Sequence, residues 1–361
     1  MTREFDLKSI KSNADKSAKN YILHNEGLET AIQMAIWLGK PLLLTGAPGT
    51  GKTQLAYKIA DMLYETTKAG NAECAPFLGK PYIFNTKTTS SATDLFYSYD
   101  AVRHFQKKYI DELDKQKQGA TAHAYLKMNA LGSAILQSIG SAQIIADPNL
   151  SDLQLLADFQ KQVLPEPRSS VVLIDEIDKA PRDFPNDLLN EIEQMEFYIS
   201  ELMNKYIKMQ ESSNARVLVI MTSNFEKALP DAFLRRCLFY HIPYPEPQEL
   251  IKIVESRITP YLEETYNRND PGHKELYQHA EKNMSSLVEE FRRLKDLIKD
   301  KPPATAELLE WIKTLVARGL LRKELNFSKL EEDERRILHF SLPALAKSEN
   351  DLYRLKQEYP L

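Results

Sequence analysis

Gly46-Ala-Pro-Gly-Thr-Gly-Lys-Thr53, entered from the apolar run Pro41-Leu-Leu-Leu44, is the stretch on which the fold turns. It has the form G-x-x-x-x-G-K-T, a phosphate-binding loop between a buried strand and a helix. A polyphosphate is a dense anion, and glycines let backbone N–H groups close around it without interference from Cβ atoms. The helix predicted from Lys52 through Leu55-Ala-Tyr-Lys-Ile-Ala60 points its positive end at the phosphates. Gly46, Ala47, Pro48, Gly49, Thr50, Gly51, Lys52, Thr53 and Gln54 are therefore the candidate nucleotide-binding residues. Lys52 supplies a mobile charge to the β- and γ-phosphates, and the Thr53 hydroxyl is placed to ligate Mg²⁺. A glycine-rich turn alone matches this pattern by chance. The strand before it and the helix after it decide for the nucleotide loop.

The rest of the composition narrows the class. A chain of 361 residues is long enough for two domains and a sizeable core. Hydrophobic content of 43% and charged content of 27% are ordinary for a soluble globular protein. A net charge of −4 gives no overall attraction to nucleic acid or to an anionic membrane. Cys74 and Cys237 are too few for a disulfide framework and too isolated for a zinc site. No apolar stretch approaches membrane-spanning length, and the polar start Met1-Thr-Arg-Glu-Phe-Asp6 does not resemble a signal peptide. The expectation is a cytoplasmic protein.

Along the chain, residues 1–20 read as a polar arm, and Glu26–Leu38 has helical spacing of apolar residues. Tyr21, Ile22 and Leu23 stand where a nucleotide base could pack. Tyr82-Ile-Phe-Asn85 reads as a second strand. Residues 86–167 then carry no strand signal, and Leu95–Phe105, Ala124–Ser138 and Leu153–Val163 look helical. Lys52 and Asp175 lie 123 positions apart, whereas a strand–helix–strand unit needs only about 30 residues. A helical insertion is expected. Three more strands follow, Val171–Ile174, Val217–Thr222 and Leu238–Ile242. Short apolar strands alternating with helices imply an α/β fold with a five-stranded parallel sheet covered on both faces. Past Pro247 the apolar spacing is helical throughout, so residues 246–361 are expected to form an all-helical domain after an α/β core at 21–245.

Asp175-Glu176 closes an apolar strand at the carboxyl edge, where sheets of this kind place their ligands. Asp175 is positioned to hold Mg²⁺ through water, and Glu176 to polarise the water that attacks the γ-phosphate. Asn224 ends the neighbouring strand and is a candidate to orient the same water.

GAPGTGKT, VVLIDEIDKAP, VIMTSN and LPDAFLRRC, in that order, resemble an AAA+ ATPase. The stretches at Asp175–Phe197, Thr222–Pro245 and Lys87–Ala101 are similar to the MoxR branch, the last to its helical insert. The resemblance implies a P-loop NTPase fold with an all-α lid, ATP as the nucleotide, and a homo-oligomeric ring, usually a hexamer, with ATP at each subunit boundary. It casts Asn224 as sensor 1 and Arg236 as the arginine finger for the neighbour's γ-phosphate, with Arg235 as understudy. In one place the chain departs from the pattern. The lid arginine of MoxR proteins is replaced by Ala304 or Thr305, leaving Lys301, Arg292 and Arg293 as the nearest basic residues; a solvated helix face is the preferred reading of those three.

The resemblance suggests a machine that remodels, assembles or activates a protein partner containing a von Willebrand factor A domain. A slow nucleotide-dependent switch is the alternative. A nucleic-acid motor is disfavoured by the acidic balance and the lack of a recognisable nucleic-acid module.

Overall fold

The computed structural model describes residues 26–69, 74–113, 121–210, 213–224, 227–266 and 271–360. The expected polar arm at 1–20 and the base-packing candidates Tyr21, Ile22 and Leu23 lie outside the described residues.

Helix α1 (Glu26–Leu38) leads into β1 (Leu42–Thr45), α2 (Lys52–Thr67) and β2 (Tyr82–Asn85). The insertion holds α3 (Thr93–Phe96), β3 (Tyr97–Tyr99), α4 (Ala101–Leu113), β4 (Leu126–Met128), α5 (Ala130–Ile139), α6 (Ser141–Ala146) and α7 (Phe159–Gln162). Then come β5 (Ser170–Asp175), α8 (Phe184–Asp187), α9 (Leu189–Gln194), β6 (Glu196–Ile199), β7 (Lys205–Lys208), β8 (Val217–Ser223), α10 (Asp231–Leu234) and β9 (Leu238–His241). The helices α11 (Pro247–Thr265), α12 (Pro271–Leu297), α13 (Thr305–Ala317), α14 (Glu332–Ser341) and α15 (Glu349–Glu358) follow.

Five strands form one parallel sheet in the order β2-β5-β8-β1-β9. Their side chains alternate between two separate cores, which is why the strands read as unbroken apolar runs rather than as an in-out pattern. Leu42, Leu44, Val171, Leu173, Leu218 and Ile220 pack with α1 and α2 on one face. Leu43, Val172, Ile174, Val219 and Met221 pack with α5 and its neighbours on the other. Every one of these residues is essentially excluded from water.

The helical region after Pro247 has a core of its own. Fully buried Trp311 on α13 is its largest side chain. The indole N–H donates to Ser341 Oγ at 2.8 Å, so the polar edge of the ring is satisfied inside an apolar setting. The expected spacing Leu308/Ile312/Leu315 is the buried face of that helix.

The insertion differs from expectation. Residues 97–99 and 126–128 pair as a short antiparallel ladder, so the expected helix over 95–105 breaks after Phe96 and the one over 124–138 starts at Ala130. In the ladder, buried Leu126 and Met128 flank exposed Lys127. Three residues are too few for a period of two to stand out from a helical pattern. A second hairpin, β6–β7, also lies outside the sheet.

Candidate active site

The loop between β1 and α2 takes its shape from positions where a side chain has no room. Gly46 has φ 153°, and a Cβ there would stand 2.8 Å from the Ile242 carbonyl oxygen. Gly49 has φ 75°, and its Cβ would stand 2.8 Å from the Ala304 Cβ. Glycine is required at both by backbone conformation and by close approach. Thr50 ties the loop to itself, donating from N–H and from Oγ1 to the Ala47 carbonyl. Pro48 and Ala47 are exposed at the loop's crest.

Lys52 is the first residue of α2, and only 7% of it is exposed. Its ammonium donates to the carbonyl oxygens of Gly46 at 2.9 Å and Ala47 at 3.0 Å, which holds the charge inside the bend of the loop. Burial lowers its pKa, while Asp175, Asp178 and Glu176 pull the other way. The next residue, Thr53, donates to Asp175 Oδ2 at 2.9 Å. Gln54 is half-buried beside it, and its Oε1 is buried with no partner among the described residues.

Asp175 and Glu176 sit at the carboxyl end of β5, one strand removed from β1. The side chain that organises them is Thr222 on the intervening strand. Its hydroxyl donates to Asp175 Oδ1 at 2.5 Å and accepts the Glu176 N–H at 2.8 Å. Glu176 itself adopts the left-handed conformation, φ 57° and ψ 52°, which turns the chain sharply off the strand. Its Oε2 accepts from Lys179 Nζ at 2.6 Å. Asn224 follows the end of β8, and its N–H donates to Asp178 Oδ2 at 3.1 Å. Thus Lys52, Thr53, Asp175, Glu176 and Asn224 come together at one sheet edge.

Thr222, Asp178 and Lys179 were not singled out by sequence reasoning, although all three stand inside the motif stretches VIMTSN and DEIDKAP. Their only signal is adjacency to residues already chosen. Asp178 is 2% exposed, which spacing alone does not reveal.

Arg235 and Arg236 lie elsewhere. They precede β9, whose first residue Leu238 pairs with Leu42 at the start of β1. The loop leaves the far end of β1, four residues or about 13 Å along the strand. Arg236 is roughly half exposed, and its guanidinium reaches Glu193 at 4.0 Å. The lid positions divide in the same way. Ala304 packs directly on Gly49, which brings the helical region onto the phosphate loop without a charge at that point. Arg293 is held by Glu290 and Glu358, while Arg292 and Lys301 are exposed.

The donor set suits a Mg²⁺-bound nucleotide. One hydroxyl and one carboxylate are what Mg²⁺ ordinarily takes from protein, the remainder coming from phosphate and water. No cluster of three or more His, Cys, Asp or Glu able to hold a metal alone occurs among the described residues.

A glycine loop on a helix N-terminus, with a strand-end Asp-Glu beside it in a parallel sheet, defines a P-loop nucleoside triphosphatase. Residues 42–244 match the model of the "ATPase family associated with various cellular activities (AAA)". The chain belongs to that family, and ATP binding and hydrolysis are its chemistry. Among solved structures, it is similar to domain III of the replication initiation protein DnaA from Thermotoga maritima, at 13% identity and a TM-score of 0.40. That likeness covers 93% of this chain and 99% of the other. No curated protein sequence matches it. Among the described residues, no helix is long and apolar enough to cross a membrane.

Proposed function

We propose that the chain is a MoxR-type AAA+ ATPase that works as a ring, a hexamer by analogy, and remodels, assembles or activates a protein partner bearing a von Willebrand factor A domain. Residues 21–245 serve as the nucleotide core and 246–361 as lid and C-terminal helices. The observation that carries the ATPase chemistry is the convergence of Lys52, the Thr53–Asp175 pair at 2.9 Å and Glu176 on one sheet edge. The branch and the client rest on the motif resemblance alone.

In this reading Lys52 and the loop N–H groups bind the phosphates, and Glu176 takes up the proton of the attacking water. Asn224 orients that water. Thr53 and Asp175 would hold Mg²⁺, which when bound offsets the charge developing on the phosphates. A second reading, a slow nucleotide switch, is favoured by the ion pair that engages Glu176.

The deciding pair of variants separates binding from turnover. Lys52→Ala is expected to weaken ATP binding in equilibrium titration. Glu176→Gln is expected to bind ATP normally and lose hydrolysis by about 10²-fold or more, the scale for a contact made only in the transition state. Wild-type turnover by Glu176→Gln removes the assignment. Co-purification with that trapped form, read by mass spectrometry for a von Willebrand factor A protein, tests the client.

A further inference from the structure

The main chain of Glu176 is bonded at both its N–H and its carbonyl. Its N–H donates to Thr222 Oγ1 at 2.8 Å, and its carbonyl accepts from the Lys179 N–H at 2.9 Å. Its left-handed backbone sits between the end of β5 and a tight turn over Ile177–Lys179. Only the side chain is left to move. That side chain is engaged by Lys179, whose Nζ stands 2.6 Å from Oε2.

We propose that Lys179 is a positioning residue that restrains the Glu176 carboxylate, and that freeing Glu176 from it limits turnover. The inference rests on the reading of Glu176 as the group that polarises the attacking water. A carboxylate in that role needs an oxygen within hydrogen-bond reach of the water. The lysine ammonium occupies one of the two and holds the other in a fixed direction.

The pair is built to open. Both side chains are 39% exposed, and ion pairs that solvent reaches are weak. Its base is nonetheless anchored. Lys227, on the segment beyond Asn224, donates from Nζ to the carbonyls of Lys179 and Ala180 at 3.4 Å each. Lys227 thereby braces, from outside it, the turn that carries the restraint. Among the described residues, Lys52 on α2 is coupled electrostatically to Asp175, Asp178 and Glu176. Asp175 is engaged by Thr53 and Thr222, and Lys52 by loop carbonyls. Among the described residues, Lys179 is the cation bonded to the Glu176 carboxylate.

The test is steady-state hydrolysis of Mg-ATP by the full chain and by Lys179→Met, Lys179→Gln, Lys179→Arg, Glu176→Gln and the double variant Glu176→Gln/Lys179→Met. Removing the restraint is expected to raise kcat about fivefold, the weight of a solvent-exposed ion pair. KM for ATP is expected to stay within about twofold, because the pair is opened after binding. Lys179→Arg keeps the pair and is expected to behave as the wild type. In the Glu176→Gln background, Lys179→Met is expected to add nothing, since the carboxylate is gone. The restraint is overturned if Glu176→Gln is dead while folded Lys179→Met and Lys179→Gln are no faster than wild type. It is also overturned if the same gain appears without Glu176. Should Glu176→Gln turn over at the wild-type rate, the failure lies in the water-polarising reading itself.

Discussion

The two ends of one parallel sheet hold their charged residues in opposite ways. At the carboxyl edge, Lys52, Thr53, Asp175, Glu176 and Thr222 are bonded to one another or to the loop backbone at 2.5–3.2 Å. At the amino edge, Arg235 and Arg236 are exposed, and the Arg236 guanidinium reaches the Glu193 carboxylate only at 4.0 Å. Apart from the Glu176 carboxylate, which Lys179 engages, the groups that act together within one chain are pre-organised, which spares reorganisation when charge develops. A cation meant for a second subunit's phosphate gains nothing from partners at home. The contrast is consistent with the proposed role of Arg236 at a neighbouring subunit, and each prediction below breaks or sharpens it.

The largest effect is expected from Arg236→Ala. ATP binding should persist while hydrolysis falls about 10²-fold or more, the scale for losing a charge contact made in the transition state. Activity per wild-type subunit should rise with protein concentration as rings form. Mixing Arg236→Ala with Glu176→Gln should recover part of the activity at boundaries that pair an intact Glu176 with an intact Arg236. Mixed rings seen by native mass spectrometry yet as inactive as their parents would place the finger elsewhere. Undiminished turnover by a monomer would sink the ring.

A smaller effect is expected inside the locked edge. Thr222→Val keeps the volume but orphans the Glu176 N–H and frees Asp175, at a cost of about 1–3 kcal/mol. Chemical denaturation should register that loss, and hydrolysis should drop by about tenfold with ATP affinity little changed. Full activity and stability in Thr222→Val would show that the bridge is incidental.

The smallest effect is expected in the lid. Arg293 is held by Glu290 and Glu358, and the hydrogen bond with Glu290 raises its pKa further. Its guanidinium is half exposed, but Glu290 beneath it is only 6% exposed and would keep Tyr359 as its partner, so Arg293→Ala should cost about 1–3 kcal/mol in stability. Hydrolysis should stay within about twofold. A hundredfold loss would identify Arg293 as a displaced nucleotide sensor and make the lid a third charged partner in the site.

Much of the sheet was legible because its strands are apolar on both faces. Leu42–Leu44, Val171–Ile174 and Val217–Met221 serve two cores at once, and such runs bounded by turn residues stand out without any partner being known. The ladder at 97–99 and 126–128 was not legible. Its pairing depends on a crossover of 26 intervening residues, 100–125, and its strands carry too little local pattern. The catalytic candidates were found through their motifs, but the residue joining them was not. Thr222 looks like any strand threonine until β8 is placed between β5 and β1.

The amino-acid sequence by itself determined the phosphate loop, the strand-end acids and the helical character of the C-terminal third, because each is written in the spacing of near neighbours. Tertiary structure alone decided which groups touch. It brought Ala304 onto Gly49 across 255 positions, set Thr222 between the Asp175 carboxylate and the Glu176 N–H and closed Lys179 onto Glu176. It also put Arg236 at the opposite end of the sheet. Contacts of this kind follow from how whole faces pack and from the order of strands in the sheet, and neither is carried by any short stretch of chain.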